Sequence, residues 1–219
     1  GRHSMFLMTS GLRSVRDKAV TYFEEVIGES DETFDKLYKA VNVLARQIRR
    51  VAEEDREPLD KSGLPFNLHA LVGGQLENDP EHKLYLLYPA GNWVEVSEGT
   101  PYCIIGESGY GKPLLDRVLR YESSMDLALK VGFLAFDATR TSSTSVEYPL
   151  DVVAYRTDTF DIVESRFEKD DLLNSSDWWQ ARIADSVDQL PAQWTDRVLA
   201  PLANHTTRSP RPDRTPGPT

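Results

Sequence analysis

The sequence predicts an α+β protein in which helices and antiparallel strands are segregated along the chain. Three observations predict it. Two amphipathic helical stretches stand together between Leu12 and Val51. Short strand-forming runs joined by tight turns follow between Phe66 and Ile105. Helical periodicity then returns after Lys112, interrupted by a second pair of strands near Leu150–Glu164. At 219 residues, 40% of them hydrophobic, the chain is long and apolar enough for one large core.

The elements are justified in order. Ser4–Thr9 is a short apolar strand broken by Gly11. Leu12, Val15, Ala19, Phe23 and Val26 make one helical stripe, ended by Gly28. Ser30 or Asp31 is expected to cap a second helix, in which Phe34, Leu37, Val41, Leu44, Ile48 and Val51 recur at steps of three and four. Pro58 to Pro65 reads as a loop. Strands are expected at Phe66–Leu76, Lys83–Tyr88, Trp93–Ser97 and Pro101–Ile105, with turns at Asn78-Asp79-Pro80 and Ala90-Gly91-Asn92. Helices follow at Lys112–Leu119 and from Ser124 through Leu134. Leu150–Tyr155 and Phe160–Glu164 pair across Arg156–Thr159, and Asp171–Leu190 forms a last helix carrying Trp178 and Trp179. Helices layered over stacked antiparallel sheets would bury every one of these stripes.

Composition excludes several functions. A formal net charge of −10 argues against nucleic acid and anionic membrane surfaces as partners. The single cysteine, Cys103, lies in an apolar run and can form no internal disulfide. The four histidines are dispersed, and no metal-ligand spacing or cofactor motif is present, so no metal and no cofactor is expected. A reducing cytoplasm is the expected compartment. One motif invites a nucleotide reading. Gly106-Glu107-Ser108-Gly109-Tyr110-Gly111-Lys112 has the spacing of a phosphate-binding loop, but Pro113 stands where Mg²⁺ binding needs a hydroxyl. Proline offers neither hydroxyl nor N–H and suits the first turn of a helix.

The element order and its local motifs resemble the proteasome β-subunit family of N-terminal-nucleophile hydrolases, and within it the bacterial Anbu branch of ancestral β-subunit peptidases. The residues that carry the resemblance begin with Met8-Thr9-Ser10-Gly11 ahead of two helices, then Leu71-Val72-Gly73-Gly74 and Leu84-Tyr85. Tyr88-Pro89-Ala90-Gly91-Asn92-Trp93, Pro101-Tyr102, Gly106-Glu107-Ser108 and Tyr110-Gly111-Lys112-Pro113 narrow it to the branch. Leu115-Asp116-Arg117, Phe136-Asp137-Ala138-Thr139, Ser145-Val146 and Pro149-Leu150-Asp151 extend it, so that it spans residues 6–190. The resemblance implies a four-layer αββα sandwich and peptide-bond hydrolysis by a threonine-type peptidase. It also implies self-association into a ring or spiral homo-oligomer and a peptide as substrate.

In that family the nucleophile is an N-terminal threonine whose own amine activates its hydroxyl. By this resemblance Gly11 supplies the N–H that faces the developing oxyanion. Ser108 or Glu107 falls at the turn supplying a hydroxyl near the threonine amine, Ser145 at a second supporting serine, and Ser142 where the family usually carries an aspartate. The strands carrying the threonine, with an aspartate and a lysine, have no counterpart here, so the chain is expected to be incomplete at its N-terminus, as a fragment or from a miscalled start. The alternative is a non-catalytic structural subunit of a proteasome-like assembly. Residues 1–199 are expected to form the β-subunit-like domain, and residues 200–219, rich in Pro, Arg and Thr toward the end, a disordered tail.

Overall fold

The computed structural model of the protein describes residues 3–29 and 34–203. Strand β1 (His3–Gly11) leads into helix α1 (Arg13–Glu29) and helix α2 (Leu37–Lys61), and strands β2 (Leu68–Leu76), β3 (Lys83–Leu87) and β4 (Trp93–Glu95) follow. Then come α3 (Lys112–Val118), α4 (Met125–Ser142), the hairpin β5 (Leu150–Tyr155) and β6 (Ile162–Phe167), and helices α5 (Lys169–Asp188) and α6 (Gln193–Ala203). The expected α+β class holds. The chain divides into two compact units, one through Leu173 and one from Asn174 onward.

In the first unit a four-stranded antiparallel sheet has the order β1-β2-β3-β4, and β5-β6 is a separate antiparallel pair. β1 and β2 pair along their full length, from His3 opposite Leu76 to Gly11 opposite Leu68. The β2 strand is buried at nearly every position rather than alternately, so both of its faces are covered. Helices α1 and α2 lay their apolar stripes on this sheet: Val15, Ala19 and Phe23 from one, Leu37, Val41, Ile48 and Val51 from the other, packed with Leu68, Val72 and Leu87. Each such aliphatic side chain contributes about 1.5–3 kcal/mol on burial.

Several boundaries differ from expectation, each for a physical reason. Helix α2 continues through Pro58 to Lys61. Pro58 lacks the N–H that would bond the Glu54 carbonyl, but the turn beyond it still closes, its own carbonyl accepting from the Ser62 N–H at 3.2 Å. The start of α2 is capped from a distance. Lys36 occupies the N-cap with no side-chain bond, and the Leu37 N–H instead donates to the Asp79 carboxylate at 2.8 Å. Ser30 and Asp31 lie outside the described residues. α1 passes through Gly28 to end at Glu29.

Residues 101–105 form no strand. After β4 the chain turns, the Thr100 N–H donating to the Ser97 carbonyl at 2.9 Å, and Pro101 then lacks an N–H for any ladder. Helix α6 was not expected. Pro191 precedes it and Pro201 stands inside it, but the turn is started by Thr195, whose N–H donates to the Ala192 carbonyl at 2.8 Å. Its last residues, 200–203, enter the segment expected to be a tail, and residues 204–219 lie outside the described ones.

Candidate active site

Gly11 closes β1 with a φ of +132°, and a β-carbon there would sit 2.3 Å from the Asn67 carbonyl oxygen. Only glycine fits this close approach. The next residue fixes the turn, the Leu12 N–H donating to Asn67 O at 2.9 Å and the Leu12 carbonyl accepting the first bond of α1 from Arg16 at 3.0 Å. The Gly11 backbone thus stands just ahead of the N-terminus of α1, where the helix dipole favours negative charge.

The Gly106 turn comes to this same strand end. Gly106 has a φ of +82°, and a β-carbon built on it would lie 2.9 Å from the Ser10 hydroxyl oxygen. The turn is steadied by Glu107, whose carboxylate accepts from the Gly109 N–H at 3.3 Å. The two turns are 95 positions apart in sequence, from Gly11 to Gly106, and the fold makes them neighbours.

Beyond the Gly106 turn lies a cleft of about 470 Å³, walled by Leu71 of β2, by Tyr102, Ile104 and Glu107, by Leu115 of α3 and by Val146. Leu115, Leu119 and Ala135 of its lining form a small apolar cluster with Val131. Glu107 and Val146 both line it, and Ser108 and Ser145 are their immediate neighbours in the chain. Ser108 is exposed. The Ser145 hydroxyl lies 2.8 Å from the Ser143 hydroxyl, and Ser143 also accepts from the Ser145 N–H at 3.3 Å. Ser142 ends α4, and Thr139, one turn earlier, lines the cleft. Sequence reasoning missed Ser143. Its only signal was its position as C-cap of α4, where its N–H donates to the Thr139 carbonyl at 2.8 Å.

Electrostatics around the cleft come mainly from α3 and α4. The Lys112 ammonium donates to both oxygens of Asp116, at 2.9 and 2.8 Å, and to the Tyr102 hydroxyl at 2.9 Å. Asp116 first, then Tyr102, hold the Lys112 pKa up to about 12, and Lys112 in turn lowers the Asp116 carboxyl. Pro113 sits in the first turn of α3. The lysine of the phosphate-loop look-alike is therefore already committed to a carboxylate. On α4, Asp137 is buried and accepts from Arg140 at 3.0 Å, which raises the arginine pKa further. Burial pushes the Cys103 thiol up, so it stays protonated. Among the described residues no group of three or more His, Cys, Asp or Glu side chains forms a metal site. No helix among them is long and apolar enough to cross a membrane.

This mixed α+β fold resembles that of solved proteasome β-subunit homologues. Solved structures make the relation specific. The chain is 30% identical to Anbu from Hyphomicrobium sp. strain MC1, with a TM-score of 0.79, over 87% of this chain and 82% of that one. It is 29% identical to Anbu (ancestral beta-subunit) from Yersinia bercovieri, with a TM-score of 0.79, over 87% of this chain and 81% of that one. The same identity and coverage, with a TM-score of 0.80, relate it to the Anbu complex of Pseudomonas aeruginosa, described as a helical assembly. The chain belongs to the Anbu family of ancestral β-subunits. No protein-family model matches the sequence, and no curated protein does.

Proposed function

We propose that this chain is a subunit of a proteasome-like, threonine-type peptidase that hydrolyses peptide bonds in a reducing cytoplasm. The observation that carries the reading is the meeting of the Ser10-Gly11 strand end with the Gly106 turn at the mouth of the cleft, in a chain of the Anbu family. On this reading the Gly11 N–H stabilises the oxyanion that forms as the scissile carbonyl is attacked. Ser108 or Glu107, and Ser145 with its partner Ser143, orient the amine of the nucleophile, and Ser142 flanks them. The threonine hydroxyl gives its proton to its own amine and attacks the carbonyl carbon. The peptide nitrogen leaves with that proton, and water then hydrolyses the resulting ester.

Thr9 cannot be this nucleophile, because it is internal to β1 and its nitrogen is an amide. The reading therefore takes the nucleophile from residues outside this sequence, on strands that would complete a four-layer αββα sandwich. Two features support that layering among the described residues: β1 is an edge strand of its sheet, and β5 and β6 pair only with each other. The domain so completed would include residues 1–199 and assemble with copies of itself into a spiral or ring.

The test is to read the native gene upstream of the Gly1 codon and assay the full-length product on fluorogenic peptides. Continuous coding sequence with a threonine after the initiator methionine, and cleavage abolished by Thr→Ala, is the expected result. An in-frame stop with Met5 as the start, or cleavage indifferent to that substitution, overturns it. In the active full-length protein, Gly11→Ala is expected to lower kcat and to cost more than ~1 kcal/mol of stability, because the new β-carbon collides with Asn67.

A non-catalytic subunit is the second reading. One observation favours it: the Ser145 hydroxyl partners another hydroxyl, and the Glu107 carboxylate is engaged by a backbone N–H, so neither is arranged as a base beside a nucleophile.

A further inference from the structure

A separate cavity of about 460 Å³ lies on the other side of the strand end that carries Gly11. Leu7, Thr9 and Gly11 alternate along β1 and so share one of its faces. Leu7 and Thr9 form one wall of the cavity, and Arg16, Asp17, Val20 and Thr21 of α1 form the other. Since α1 starts at Arg13, directly after the Gly11 turn, the two walls converge toward Gly11. Thr9 stands about 7 Å from Gly11 along the strand.

The walls carry an uneven set of charges. Asp17 is the one carboxylate of the lining, and two guanidiniums hold it, Arg16 Nη2 at 2.6 Å and Arg13 Nε at 3.4 Å. Arg16, and after it Arg13, keep the Asp17 carboxyl below its ordinary value, so it is ionised at neutral pH. Two cations against one anion leave a positive charge in surplus. Arg16 reaches Asp17 through Nε, at 2.8 Å, and Nη2, both on the same oxygen, Oδ1. Its Nη1 has no partner among the described residues. The planar fork of a guanidinium is suited to gripping a second carboxylate through such free N–H groups. The Thr21 hydroxyl offers no competing donor, because it is spent on the Asp17 carbonyl at 2.9 Å.

We propose that this groove receives the substrate side chain on the acyl side of the scissile bond, and that Arg16 selects aspartate or glutamate there. The selection rests on the role proposed above for the Gly11 N–H. That side chain branches from the carbon next to the scissile carbonyl, so with the carbonyl oxygen on Gly11 it falls within reach of Thr9 and Arg16. A volume of about 460 Å³ is that of a small-ligand site and admits any natural side chain. Size therefore discriminates little, and the surplus charge does the selecting, by attracting an acidic side chain and repelling a basic one.

Three fluorogenic peptides test it on the full-length protein: acetyl-Leu-Leu-Glu, acetyl-Leu-Leu-Leu and acetyl-Leu-Leu-Arg, each joined to aminomethylcoumarin. The kcat/KM for the glutamyl peptide is expected to exceed that for the arginyl peptide by roughly ten-fold, and Arg16→Glu to invert the order. Equal values for the three, or an order that Arg16→Glu leaves unchanged, overturn the selection and leave the peptidase reading standing. A binding measurement needs no cleavage. Saturation-transfer NMR of acetyl-Leu-Leu-Glu-amide and acetyl-Leu-Leu-Arg-amide on the same protein is expected to give a dissociation constant roughly ten-fold lower for the glutamyl peptide, an advantage lost in Arg16→Glu. If none of the coumarin peptides is cleaved, the peptidase reading fails and the wild-type affinities alone decide the groove. Equal affinities for the two amides overturn it.

Discussion

The region of α1 and α2 on β1–β4 is built from six elements and the region of α3, α4 and β5–β6 from four, and the two are packed very differently. In the first, Leu37, Val41, Ile48, Val51 and Leu87 are completely removed from water, and β2 is covered on both faces. In the second, the buried cluster shrinks to Leu115, Leu119, Val131 and Ala135, and neither β5 nor β6 has a buried residue. The difference teaches that a helix stripe is worth what faces it. α2 has a sheet beneath it, whereas α3 and α4 look onto an open cleft of about 470 Å³. Of the candidate site residues, Glu107 lines this cleft.

The contrast can be broken most forcefully in the core. Ile48→Ala is expected to cost about 4 kcal/mol and Leu115→Ala about 2 kcal/mol, the upper and lower parts of the range for such truncations. Urea denaturation of both variants checks this, and equal losses would erase the contrast. Next comes the distant cap. Asp79 accepts from Leu37 N–H at 2.8 Å and from Leu76 N–H at 3.0 Å, so it ties α2 to the end of β2. Asp79→Ala should cost about 2–3 kcal/mol, since both buried donors lose a charged acceptor. Hydrogen exchange should show the loss first at the start of α2.

The link between the two layers is smaller and more local. Gln75, almost fully buried, accepts from the Tyr155 hydroxyl at 2.8 Å and the Asp158 N–H at 2.9 Å, and donates to the Asp158 carboxylate at 2.9 Å. Gln75→Ala should cost about 1–2 kcal/mol. Amides 150–167 should exchange faster while the α1–α2 core stays protected. Exchange that rose equally in both layers would mean that they unfold as one unit.

The smallest effect is a pH dependence at the cleft. The Asp116 carboxyl is depressed by Lys112, so its stabilisation is present above the ordinary aspartate value of 3.8 and is lost as pH falls through the lower folded value. The Lys112 ammonium is raised to about 12, so its part is present below 10.5 and is lost as pH rises through about 12. Asp116→Asn should flatten both arms of the stability profile outside that window. Both groups are half exposed, so solvent screening keeps the change small.

Much of the fold was legible because it is written locally. The α2 stripe from Leu37 to Val51, the Ser124 cap of α4, whose hydroxyl accepts from the Leu127 N–H at 3.2 Å, and the Arg156–Thr159 turn of the hairpin all sit where periodicity and turn chemistry place them. The family was legible too, through several short motifs spread over the chain. What escaped was non-local. Residues 101–105 are apolar and strand-like in composition, but a turn carries them off β3 before a ladder can form. Helix α6 was hidden by Pro201, which stands inside it, and by a stripe too short to stand out.

The candidate site divides in the same way. Gly11, Ser108 and Ser145 could be named from motifs, and so could Glu107 and Ser142, but nothing in the spacing shows that the Gly106 turn lies beside the end of β1 or that Glu107 lines a cleft. By itself the sequence determined the helix faces, the turn glycines and the acidic character of the chain, because periodicity, backbone freedom and charge are properties of neighbouring residues. Only the tertiary structure decided that Asp79 caps a helix 42 positions away, that Gln75 holds the hairpin turn 83 positions away, and that the Gly106 turn meets Ser10. Those contacts depend on which surfaces the sheet and helices bring together, and burial makes each polar group there find its partner wherever the chain supplies one.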